Sequence, residues 1–235
     1  MKAQLGLDRA LSFINCHLQP AETGQIATRE GLLRRAVTIS RQAGSGAHHI
    51  AERLTALLQA HTPAEAAPWT VFDRNLVDKV CQEHELPEHM SRFMREDRTS
   101  AISDTMEELF GLHPPSSELV HKVTETVVHL AELGNVILIG RGAAVATGTL
   151  EHVVHIRLVS SLERRIDRVR DWNKIDRQAA LELIQKEDGG RERYLKRYFK
   201  ADINDPLLYH ATINTDKISY DETARIIADL VLKRV

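Results

Sequence analysis

Cysteine is nearly absent. Cys16 and Cys81 are the only two in 235 residues, a pattern that fits free thiols in a reducing cytoplasm better than a disulfide framework. Long hydrophobic runs are missing too, and no stretch approaches the roughly 18–20 apolar residues a membrane-spanning helix needs. The opening MKAQLGLDRALSFINCHLQP contains an acidic residue and no sustained apolar core, so it does not read as a signal peptide. No excess of one charge exists either: 31 basic and 33 acidic residues leave a net of −2. No global field therefore favours nucleic acid or an anionic membrane. Aromatics make up 5%, and the basic segment near the C-terminus has only Tyr194, Tyr198 and Phe199 as stacking groups, too few for a nucleic-acid platform. Twelve histidines are scattered without metal-ligand spacing, so no metal site is expected.

What is present is concentrated in VTISRQAGSGAHHI, residues 37–50. An apolar strand runs into Gly44-Ser45-Gly46, and a helix follows. Glycines let a backbone approach an anion, and the free N–H groups of a helix start point at it. Laid on G-x-x-x-x-G-K-[ST], the phosphate-loop pattern, Arg41 takes the first glycine position, Ala47 the lysine and His48 the hydroxyl. A dinucleotide fingerprint fits less well, because His49 stands where its third glycine belongs.

The rest of the chain predicts alternating strands and helices. Strands are expected at Ala36–Ser40, Trp69–Phe72, Val136–Ile139, Val153–Val159 and His210–Asn214. Ile50, Leu54, Leu57 and Leu58 form a helical stripe after the loop, and Leu119, Val120, Val123, Val127 and Leu130 form another that Gly134 ends. Two capping boxes are expected, Ser160…Glu163 and Ser219…Glu222. Residues 171–200 read as a charged helix. Leu7, Leu11, Ile14 and Leu18 mark a helix in an N-terminal extension, packing either on the domain or across a homodimer. Five strands separated by helices imply a parallel sheet covered on both faces. Ligands of such sheets sit at the strands' carboxyl ends. Here those ends are Ser40-Arg41, Asp73-Arg74, Gly140-Arg141 and Asn214-Thr215, and three of the four carry an arginine suited to an anionic ligand.

The segments ISRQAGSGAHHIAERL, FDRNLVDKV, VILIGRGA, the basic stretch and INTD together resemble the cytidylate kinase-like family, a divergent branch of the nucleoside monophosphate kinases. The resemblance runs from about residue 36 to the C-terminus. It implies a P-loop NTPase-type three-layer α/β/α fold with about five parallel strands. Residues 1–35 would be an N-terminal helical extension and linker. A helical acceptor-binding lobe would cover about 86–133 and a basic lid about 171–205. ATP would be the donor, with Mg²⁺ as its usual companion, and the acceptor a pyrimidine monophosphate of the CMP or dCMP type. Gly44, Ser45, Gly46, Ala47 and His48 would hold the ATP phosphates. Asp73, Arg74, Arg141 and Asp188 would meet the acceptor, and Arg191, Arg193 and Arg197 would clamp the phosphates from the lid. Loops of this branch often read S-R-Q-x-G-S-G-G and lack the lysine, which makes Arg41 the candidate substitute charge. His48 in place of a hydroxyl raises a second expectation: a cationic imidazole there would bind phosphate and repel a divalent ion. Gly142 stands where Gly-Arg-Asp has its acid. Two alternatives stay open: a non-catalytic nucleotide-binding module with a degenerate loop, and a kinase for a different small acceptor with Arg92, Arg95 and Arg98 in the lobe.

Overall fold

A computed structural model describes residues 35–63, 66–73 and 117–233. The N-terminal helix, Arg74, the helix expected after it and most of the expected lobe, with Arg92, Arg95 and Arg98, lie outside these residues.

Five parallel strands form one sheet in the order β2-β3-β1-β4-β5. They are β1 (Ala36–Arg41), β2 (Thr70–Phe72), β3 (Val136–Ile139), β4 (Val153–Val159) and β5 (Ala211–Asn214). The central strand, β1, pairs Ala36 with Val136 on one side and with Val153 on the other. The apolar runs are explained by burial on both faces: every residue of β3 is buried.

Side-chain alternation divides β1 between two layers. Val37 and Ile39 face α1 (Ala47–Gln59) and α6 (Tyr220–Lys233), packing with Ile50, Leu54, Leu58, Ile227 and Val231. The predicted stripe of the loop helix is that of α1, although Leu57 is only partly buried. Ala36 faces α2 (Ser117–Leu133) with Val123, Val127 and Leu130. The last helix of the stretch expected to form a lobe thus covers the sheet directly. Gly134 follows it at φ +80°, the left-handed C′ conformation its position predicts.

The charged stretch after β4 is not one helix. α4 (Leu162–Asn173) ends at Lys174 in left-handed conformation, and α5 (Arg177–Tyr194) restarts with Asp176 accepting from the Ala179 N–H at 2.8 Å. A single π-type turn, Leu195–Phe199, continues α5. Ile166, Val169, Ala180 and Ile184 form a third apolar cluster against Ala43 of the glycine loop. This packing seats α4 and α5 on the loop. A four-residue helix, α3 (Ala143–Ala146), follows β3.

Of the two capping boxes, one forms. Ser219 and Glu222 bond reciprocally, Ser219 N–H to Oε2 at 3.0 Å and Glu222 N–H to Oγ at 3.2 Å. At Ser160…Glu163 the box is absent because both ends have other partners. The Ser160 hydroxyl donates to Asp216, and Glu163 binds Arg177 at 2.7 Å. Ser161 is the N-cap there instead, and Leu162 is 41% exposed. No helix among the described residues is long and apolar enough to cross a membrane.

Candidate functional site

The site forms where β1 runs out. Gly44 (φ +79°) and Gly46 (φ +91°) turn the chain into α1, whose N-cap is Gly46 with no side-chain cap. The first-turn N–H groups of an α-helix have no intrahelical acceptor, so Ala47, His48 and His49 present theirs at the mouth of the loop. This is the geometry of an anion cradle. The loop has no room for larger residues. A Cβ on Gly44 would lie 2.9 Å from the Arg165 carbonyl oxygen, and one on Gly46 would collide with the Tyr220 ring.

Not every loop side chain faces a ligand. Ser45 is fully buried, and its hydroxyl donates back to the Gln42 carbonyl at 2.8 Å. Ala47 is buried and serves the core. Gln42 ties the loop to β4: its N–H donates to Leu158 O at 3.1 Å and its Oε1 accepts from the Ser160 N–H at 2.9 Å. At these three positions it is loop backbone, rather than side chain, that remains available to an anion.

Three arginines gather at this end of the sheet. Arg41 passes over Gly140, where any Cβ would strike its Nη1. Burial, and then the neighbouring Arg191, lower the Arg41 pKa to about 9, with Glu187 and Asp73 opposing and Arg141 adding to the depression. Arg41 remains cationic at neutral pH, poorly solvated and crowded by like charge, which is a strong demand for an anion. Arg141 sits in a run of three left-handed residues, Gly140, Arg141 and Gly142 at φ +88°, +54° and +69°. For a non-glycine residue that conformation is a local cost that surrounding contacts must sustain. The Phe199 ring covers Gly142, 2.6 Å from where a Cβ would be. The acid of Gly-Arg-Asp would not fit beneath it, which accounts for the glycine.

α5 is bonded to the loop. Asp188 Oδ1 accepts from the Ala43 N–H at 2.7 Å, and its Oδ2 pairs with Arg165 at 2.5 Å. Arg191 binds Asp188 at 2.9 Å and Glu187 at 2.6 Å. Asp188 and Arg191 are therefore held beside the loop. Arg193 and Arg197 are exposed, with Arg197 over its neighbour Tyr198.

At β2, Asp73 Oδ2 lies 4.0 Å from His48 Nδ1. Burial lowers the His48 pKa, with Asp73 raising it and Arg41 lowering it. The shift favours the neutral imidazole, and so weakens the repulsion of a divalent ion that a cationic His48 would exert.

Sequence reasoning missed two features. One is Arg168, which reaches the Gly44 carbonyl at 3.3 Å, Thr215 Oγ1 at 3.1 Å and the Thr215 carbonyl at 2.9 Å. It joins the loop to the INTD segment, and its spacing on an exposed-looking helix gave no sign of that. The other is an aromatic group beside the loop. The His49 ring stacks on Tyr220 at 6.0 Å and 12° and meets Trp172 at 5.1 Å, while Arg168 lies 5.4 Å from the Tyr220 ring. Trp172 is 46% exposed. Among the described residues no cluster of three or more His, Cys, Asp or Glu could hold a metal ion without help from a ligand.

A model of the cytidylate kinase-like family matches residues 36–217. A cytidylate kinase of Methanopyrus kandleri is 30% identical over 166 residues, 67% of this chain and 84% of its own. A cytidylate kinase of Methanocaldococcus jannaschii is 23% identical over 155 residues, 65% of this chain and 86% of its own. Among solved structures, an uncharacterized protein from Eubacterium ventriosum has a TM-score of 0.62 at 17% identity, over 86% of this chain and 100% of that one.

Proposed function

The chain belongs to the cytidylate kinase-like family, and from that premise we propose that it transfers the γ-phosphoryl group of ATP to a pyrimidine nucleoside monophosphate of the CMP or dCMP type. The observation that carries this reading is the convergence of Arg41 on the glycine loop, beneath α5, which brings Arg191 to the same point. In the reaction, the bond from the γ-phosphorus to the β,γ-bridging oxygen breaks as an acceptor phosphate oxygen attacks in line. The products are ADP and a nucleoside diphosphate. Such a transfer asks a protein for positioning and positive charge more than for covalent chemistry.

The residues divide by task. The N–H groups of Gly44, Gly46, Ala47 and His48 hold the donor phosphates, and Arg41 provides the charge that the lysine provides in G-x-x-x-x-G-K-[ST]. Arg141 and Arg191 face the acceptor side, and Asp73 contacts it from β2. Trp172 and His49 offer the donor base a stacking surface. Mg²⁺ takes most of its ligands from phosphate and water with one or two protein oxygens. Asp73, beside His48 at the loop, would be one of them, and the ion would neutralise charge on the donor phosphates when bound.

The experiment is a coupled assay with ATP, Mg²⁺ and CMP, dCMP, UMP or AMP, run beside Arg41→Ala. Turnover is expected with CMP or dCMP. In the variant it should fall at least about a hundredfold, as for removal of a charge-stabilising group from a transition state. ATP binding without turnover on any acceptor would instead support the non-catalytic module, which Ala47 in the lysine position favours.

A further inference from the structure

Two arginines are buried beside the loop, and only one has an acidic partner. Arg165 is 8% exposed and paired with Asp188. Arg157, on β4, is 5% exposed. It donates to two neutral oxygens, Ser40 Oγ at 2.8 Å and Asn204 Oδ1 at 3.2 Å, and no carboxylate among the described residues forms an ion pair with it. A buried guanidinium without a counter-ion is costly, because desolvation is not repaid by attraction. That cost is visible as a lowered pKa, caused first by burial and opposed by Tyr209 and Asp188.

Arg157 opens on a cavity of about 150 Å³ beneath α5, shared with Arg41, Arg191, Gln42 and Asn204. Two acids reach it. Asp188 already accepts from Ala43, Arg165 and Arg191, and Glu192 is exposed at the edge. The cavity is smaller than the roughly 300–1,000 Å³ of sites that enclose whole ligands. It suits a single oxyanion group whose carrier extends out of it. None of Gly44, Ser45 or Gly46 lines it; it adjoins the donor cradle and shares Arg41 with it.

We infer that this cavity is an oxyanion subsite with Arg157 as its buried anchor, and that its ligand is the phosphate of the acceptor. The identity of the carrier rests on the phosphotransfer reading; the oxyanion chemistry rests on the three converging arginines alone. Three guanidinium groups around one phosphate give the bidentate contacts that arginine makes best.

The test is thermal unfolding of the full chain, titrated separately with inorganic phosphate, CMP, cytidine and ATP. In the unsubstituted protein, phosphate and CMP should raise the melting temperature saturably and cytidine should not. Arg157→Met should melt no lower than the parent without ligand, since it removes an uncompensated charge, and should bind phosphate and CMP at least tenfold more weakly with an unchanged ATP shift. Asn204→Asp places a carboxylate on exposed chain beside Arg157, in the role of the missing anion. It should raise the ligand-free melting temperature and weaken phosphate binding at least tenfold, and it decides the matter if Arg157→Met does not fold. The proposal is overturned if phosphate produces no shift, if either variant binds phosphate as the parent does, or if Arg157→Met loses ATP and phosphate equally. A phosphate shift without a CMP shift overturns the assignment to the acceptor. Arg157-dependent CMP binding without turnover would remove the kinase reading and leave the subsite; turnover with Arg157-independent CMP binding would do the reverse.

Discussion

At the scale of single residues, the site depends on where side chains are missing. Gly140 lets the Arg41 guanidinium cross the end of β3, so the glycine serves the arginine rather than its own strand. Gly140→Ala would bring both a Cβ at φ +88° and a collision with Nη1. We expect it to cost about 1–2 kcal/mol of stability, and to lower phosphotransfer nearly as far as Arg41→Ala does. Thermal unfolding and steady-state kinetics on the same preparation would check this; full activity in Gly140→Ala would show that Arg41 need not lie there. Arg41 itself was legible in the sequence, because it ends an apolar run before two glycines. Arg157 was not. Within VVHIRLV it reads as a polar residue alternating outward, and only the covering chain around Ile203 and Asn204 reveals that its face is buried.

At the scale of elements, α5 is the informative one. Its seat on the loop is polar as well as apolar: Asp188 receives one loop N–H and two arginines. Asp188→Asn keeps the shape and removes the charge, leaving Arg165 buried without a counter-ion. Breaking such a pair from one side is expected to cost about 2–4 kcal/mol, measured as a lower urea midpoint, and to raise the KM for ATP by loosening the loop. An unchanged midpoint would mean that the contact contributes nothing to holding α5 on the loop. The helix boundaries show why sequence reading fails locally. Lys174 turns the chain in left-handed conformation without being glycine, so the break between α4 and α5 carried no signal. The box at Ser160 had the right residues, but Asp216 and Arg177 outcompeted the local bonds. The box at Ser219 has no such competitors and forms.

For the whole molecule, the five strands were legible because burial on both faces leaves continuous apolar runs. The joints between layers were not, since they rest on polar residues far apart in the chain. Asp216 is one joint. Burial would raise its pKa, but the Ser160 hydroxyl, the Ser161 N–H and Arg168 hold it at about 2, below the ordinary 3.8. A carboxylate depressed in this way stabilises the fold above its unfolded value, and the contribution is lost as pH falls from about 4 through 2. Urea midpoints measured against pH should therefore decline over that window, and Asp216→Asn should be less stable at neutral pH with a shallower decline. Parallel curves for the two proteins would rule out Asp216 as a source of acid sensitivity.

The strand order also governs assembly during synthesis. β1 precedes every other described strand yet occupies the centre of the sheet, bonded to β3 and β4 but not to β2, the described strand that follows it. A growing chain that has released β1 keeps both its edges bare until about a hundred further residues have emerged, a long-range closure that slows folding and exposes an apolar strand to aggregation. The Ala43 N–H finds its partner only at residue 188, and the loop's tie through Arg168 only at Thr215. The finished shape of the loop is thus something the nascent chain acquires almost last, and a chain released before Thr215 has the glycine turn without the supports that shape it.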